Sequence, residues 1–192
     1  MQPVVDGQTG LSPAAIGNKG REATQADFDF MAGMIAHHAQ AVLMAGWAPT
    51  HGASAALRRY CERVVVGQSD EIALMQQWLK DHGQPVPDAK DTKMHMVMDG
   101  KPMDMLMPGM LTDEEMKQLD KARGTEFDRL FLQGMIKHHW GAITMVNTVQ
   151  GTRGGAQDEI VFKLSTDIYA DQSTEIAVME KMLAAIPAGG RQ

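Results

Sequence analysis

Two short stretches of this chain set adjacent imidazoles between thioethers: "MAGMIAHHAQAVLMA" at 31–45 and "LQGMIKHHWGAITMV" at 132–146. Histidine and methionine both ligate soft metal ions, the first through a ring nitrogen and the second through sulfur. Neither is the simplest choice inside a helix, where leucine packs without a polar atom to satisfy. Met34, His37, His38 and Met44 recur at an offset of 101 as Met135, His138, His139 and Met145, together with Phe30/Phe131, Gly33/Gly134, Ile35/Ile136 and Ala41/Ala142. One such stretch could be ordinary packing, but its repetition argues for chemistry.

A second soft-donor run is "MHMVMDGKPMDMLMPGM", residues 94–110, with seven methionines and His95. Pro102, Pro108 and two glycines break it, so it is a poor candidate for a regular core element, and so many exposed thioethers would be open to oxidation. In extended chain side chains alternate with period two. Met94, Met96 and Met98 then share one face, Met103, Met105 and Met107 another, and each triplet offers three sulfurs to one ion. Thioethers favour Cu(I), with Ag(I) as its mimic, over Zn(II), which prefers thiolate, imidazole or carboxylate. Thioethers also bind without losing a proton and avoid disulfide chemistry, which suits an acidic or oxidising compartment. The competing reading is a hydrophobic flap laid over core methionines.

These donors need elements to hold them. "TQAD" at Thr24 resembles a capping box and opens helix one, about 24–47; Pro49 and Gly52 mark a turn. Helix two runs to Gly83, residues 83–111 form a long connection, and "TDEE" at Thr112 opens a short helix to about 123. Helix three starts at Thr125, and helix four covers about 156–185. At about 100° per residue, Phe30, Met34, His37, His38, Ala41 and Met44 fall within one arc of about 120°, the core-facing stripe. The paired histidines are about 100° apart, so one faces the axis and the other leans towards a neighbouring helix.

Helices two and four carry their own echo, "QSDEIALM" and "QSTEIAVM" at an offset of 104. Glu71 and Glu175 precede Met75 and Met179 by one turn, where a carboxylate can accept a hydrogen bond from the outer nitrogen of a liganding histidine. Two hairpins, each with one apolar stripe, bury those stripes against each other, which gives an all-α four-helix bundle. The predicted organisation is a flexible leader over 1–23, repeat one at 24–82, the Met-rich connection at 83–111, the short helix at 112–123, repeat two at 125–186 and a tail at 187–192.

With a length of 192 residues, one domain is the default. A net charge of −6 argues against a nucleic-acid partner, and no apolar run is long enough to cross a bilayer. The single Cys61 rules out an internal disulfide and any CxxC or CxxCH site; on its helix it reads as packing. No glutamate is followed three residues on by histidine, which disfavours a di-iron carboxylate centre.

The doubled pattern of an aromatic residue, Met-Ile, one residue, His-His and a later Met, written here "FMAGMIAHHAQAVLM" and "FLQGMIKHHWGAITM", resembles the bacterial family called domain of unknown function 305. The likeness spans about 24–185. It implies a ferritin-like four-helix bundle, copper binding and export, and it supports Met34, His37, His38, Met44, Met135, His138, His139 and Met145 as metal positions. The expectation is therefore a periplasmic or secreted protein, its signal peptide removed, that sequesters Cu(I) or exchanges it with a donor or acceptor protein and catalyses no reaction. A cytosolic location, a cuprous oxidase, a haem-binding bundle and a metal-free Met-rich docking module are the alternatives. Oligomeric state is not set by the sequence.

Overall fold

The computed structural model describes residues 22–98 and 101–187. The leader and tail expected at the ends lie outside them, apart from residues 22–23 and 187. Among the described residues there are five helices, α1 (Gln25–Gly46), α2 (Ala55–Asp81), α3 (Asp113–Lys121), α4 (Gly124–Gly151) and α5 (Glu159–Ala185), with a hairpin of β1 (Met94–Met98) and β2 (Lys101–Met105) between α2 and α3. Helix α1 packs along α2, α4 packs along α5, and α1 crosses α4, so the two hairpins form a four-helix bundle.

Helix starts follow their local chemistry. The Oδ2 of Asp27 accepts from the backbone N and the hydroxyl of Thr24, both at 2.8 Å. Ser54 caps α2 through Leu57 N, Thr112 and Glu115 form a capping box on α3, and Asp158 caps α5 through Ile160 N and Val161 N. Two aspartates near the starts of α1 and α4 also tie the repeats together. Buried Asp27 accepts from Ala156 N at 2.6 Å, and its counterpart Asp128 accepts from Ser54 N at 3.2 Å. Each carboxylate thus satisfies backbone in the loop that leads into a helix of the other repeat.

The connection departs from the irregular segment the sequence suggested. Its methionine runs pair as antiparallel strands, with Met94 opposite Met105, His95 opposite Asp104 and Met96 opposite Met103. The residues after β2 then cross the outer side of the α1–α4 crossing. Gln40 clasps them: its Oε1 accepts from Leu111 N at 2.7 Å and its Nε2 donates to Leu111 O at 2.9 Å. The repeat-two counterpart of Gln40 is Gly141, where a Cβ would overlap Pro108 O; Gly109, at φ +77°, lies against the same helix. Because this segment covers α1, residues 33–41 are buried all round, a wider burial than the single stripe expected.

The core divides at the histidines. One cluster holds Met44, Met135 and Met179 with Phe127 and Phe131; the other holds Met34, Met75 and Met145 with Phe30 and Ile35. The break lies at 37–38 on α1 and 138–139 on α4.

Candidate metal centre

All four bundle histidines are fully buried. His37 of α1 and His138 of α4 face each other at the helix crossing, with ring centroids 3.7 Å apart. His37 Nε2 donates to Pro108 O at 3.1 Å, and His138 Nε2 donates to His37 O at 2.9 Å. The other member of each pair leans outward to its own hairpin partner. His38 Nε2 donates to Glu71 Oε2 and His139 Nε2 to Glu175 Oε2, each at 2.6 Å. One imidazole faces the axis and one a neighbouring helix, and the two glutamates accept from the latter as their spacing suggested.

The acceptors decide the tautomers. A carbonyl or carboxylate opposite each Nε2 requires a proton on that nitrogen, so a neutral ring carries its lone pair on Nδ1. In all four rings Nδ1 is buried and without a hydrogen-bond partner. Burial, then neighbouring imidazoles, hold His37 and His138 well below the usual histidine range. Burial also lowers His139, against the opposing pull of Glu175. His37, His138 and His139 are thus held neutral, and in every ring of the layer Nε2 is engaged while Nδ1 is free of partners.

Sulfur lies on both sides of this layer. The six predicted bundle methionines are buried, and each side receives three: Met34, Met75 and Met145 on one, Met44, Met135 and Met179 on the other. Met34 and Met44 flank His37 on one helix but belong to opposite sides, because α1 meets α4 head to tail and each side takes methionines from both repeats. Among the described residues no three His, Cys, Asp and Glu side chains are grouped to hold an ion. The donor types around the layer are imidazole and thioether, both of which are soft ligands.

The connection's donors are placed differently. Met103 and Met105 are exposed on β2, while Met107 lies beyond the strand end, its Sδ 2.8 Å from where a Cβ on Gly33 would sit. The triplet expected to share one face is thus divided. Met94 is half-buried at the start of β1; the side chains of Met96 and Met98 lie outside the described residues. His95 engages both ring nitrogens, Nδ1 with Asp104 at 2.7 Å and Nε2 with Asp91 at 2.5 Å, and these bonds raise its pKa. Its nitrogens are occupied, in contrast to the Nδ1 atoms of the bundle.

Three further buried polar residues, on the helices that carry Glu71 and Glu175, were not singled out in advance. Gln68 and Gln172, the first letters of the echoed "QSDE" and "QSTE", are buried one turn before the glutamates, and Gln68 Nε2 and Oε1 and Gln172 Oε1 have no partner. Their repetition was the available signal. Tyr60 has no such signal: its hydroxyl donates to Glu175 at 3.3 Å, and burial followed by that carboxylate raises its pKa far above the usual phenol value. Cys61 is buried, and burial reinforced by Asp128 pushes its thiol up to about 12, consistent with a packing role.

The family described as domain of unknown function (DUF305) matches residues 27–183, most of the chain. The chain belongs to the DUF305 family. Among solved structures of this fold, a DUF305 protein of Streptomyces coelicolor, named as secreted, is 28% identical with a TM-score of 0.70, covering 87% of this chain and 97% of that one. A DUF305 fragment from Deinococcus radiodurans is 25% identical, with a TM-score of 0.69 and coverage of 84% and 97%. CopM in its Cu(I)-bound form is 26% identical, with a TM-score of 0.62 and coverage of 82% and 95%. CopM is also known in Cu(II)-bound and Ag-bound forms. No curated protein matches the chain. Within this DUF305 bundle, no helix among the described residues is long and apolar enough to cross a membrane.

Proposed function

We propose that this DUF305 protein binds Cu(I) through the buried histidine layer and the adjoining methionines, sequestering the ion or passing it to a partner without transforming it. The observation that carries this reading is the set of four buried Nδ1 atoms without partners. A buried polar atom left unsatisfied costs about 1–3 kcal/mol, so four of them are an expensive way to fill a helix crossing that leucine could pack. Such departures from local packing rules belong at functional sites. The glutamates fix ring orientation on the outer pair, as carboxylates do behind metal-bound histidine.

The metal-bound forms of CopM support copper as the cargo and silver as its mimic. The secreted Streptomyces relative supports a periplasmic or secreted setting, where copper homeostasis or resistance is the fitting role. An anaerobic titration against a chromogenic Cu(I) chelator tests the proposal. Competition at one or more ions per chain, lost when His37, His38, His138 and His139 are replaced by leucine in a variant that stays helical, is the expected result. No competition, or competition unchanged in that variant, would refute it. Sustained oxygen uptake by the Cu(I)-loaded protein would assign an oxidase instead of a carrier.

A further inference from the structure

A groove of about 710 Å³ opens on the surface between the start of α1, the end of β2 and the second half of α4, with Met105, Met107 and Met145 in its lining. They come from three parts of the sequence: β2, the segment after it and α4. The absence of a side chain at Gly33 lets two of them meet on α1. Met107 Sδ is 2.8 Å and Met145 Cε 3.4 Å from the point a Cβ would occupy there. Met105 is exposed, Met107 half-buried and Met145 buried, so the three side chains grade from solvent to core.

We infer that Met105, Met107 and Met145 form a thioether site for a soft monovalent cation on the route to the histidine layer, with Met145 standing between the two. This inference rests on the copper-binding reading of the bundle. Thioethers on unbranched chains with three rotatable bonds can adjust to one ion, and sulfur donors select a soft one. Asp29 lines the same groove and supplies attraction for a cation. The inner boundary makes the site a way in. Pro108 lines the groove and its carbonyl accepts from His37 Nε2, so one peptide lies between the thioethers and the first imidazole.

The test uses the full chain labelled with [ε-13C]methionine and 15N-histidine, titrated with Ag(I) under NMR observation. Methyl signals are assigned by single Met→Leu variants. Binding in the groove moves the Met105, Met107 and Met145 methyls together, at or before the silver addition that moves the imidazole Nδ1 signals. A Met105→Leu, Met107→Leu variant, conservative in volume and leaving Met145 of the layer in place, then binds one ion fewer and fills its histidine layer more slowly, with the Nδ1 response kept at saturation. Unmoved groove methyls alongside responding imidazoles would overturn this inference and leave the histidine proposal standing. Groove methyls that move while the imidazoles stay silent would overturn the route and the histidine proposal together. An unchanged stoichiometry in the double variant would overturn the site.

Discussion

At the scale of single residues, the account turns on which ring nitrogen holds the proton. Glu71 and Glu175 set it for His38 and His139, and Glu175 also accepts from Tyr60. Replacing either glutamate by alanine leaves a buried N–H without its acceptor, so each variant should lose about 1–3 kcal/mol in urea unfolding. Proton linkage gives a second expectation. His37, His138 and His139 have lowered pKa values in the fold, with burial the leading cause. Between the ordinary value of about 6.5 and those lowered values the unfolded chain binds more protons. Their contribution to stability is complete above about pH 6.5 and declines as pH falls from there towards the folded values. Urea midpoints of the metal-free protein measured from pH 7.5 down to 5 should fall, and a His37→Leu, His138→Leu variant should fall less steeply.

Among the elements, the crossing segment after β2 is the piece that covers the histidines. Gln40 holds it from α1, and Gly141 admits its backbone against α4. A methyl at Gly141 would push directly on Pro108, the acceptor of His37, so Gly141→Ala should destabilise by about 1–3 kcal/mol and disturb the His37 imidazole signal. Gly67, exposed within α2 with open space around it, should respond oppositely, Gly67→Ala stabilising by about 0.5–1 kcal/mol. Denaturant curves for both variants check this contrast. The helices and their caps were readable in the sequence because Thr24, Thr112 and the turn residues act locally. The hairpin was not. Its methionine runs alternate as strands do, but prolines and glycines masked the pairing, and Met107 takes its place only because a distant glycine leaves room.

Across the whole molecule, the duplication places the same chemistry on two sides of one plane. The echoed positions Met34/Met135, Met44/Met145 and Met75/Met179 do not stay with their own repeat; each side of the histidine layer draws methionines from both. That exchange follows from packing α1 head to tail against α4, which periodicity along a single helix cannot reveal. The repeat itself, the bundle and the role of Glu71 and Glu175 as acceptors were legible, because period and spacing survive in the sequence. Gln68, Gln172 and Tyr60 became visible as members of the polar layer only once the helices were placed. In the proposed complex the buried Nδ1 lone pairs receive a soft ion while the Nε2 protons stay engaged. Long-range 1H–15N spectra of the imidazoles during anaerobic Ag(I) addition test it most directly. The account predicts a large shift of Nδ1 in the layer, with Nε2 still protonated. Nδ1 signals unchanged at saturating silver, or loss of the Nε2 protons instead, would contradict it.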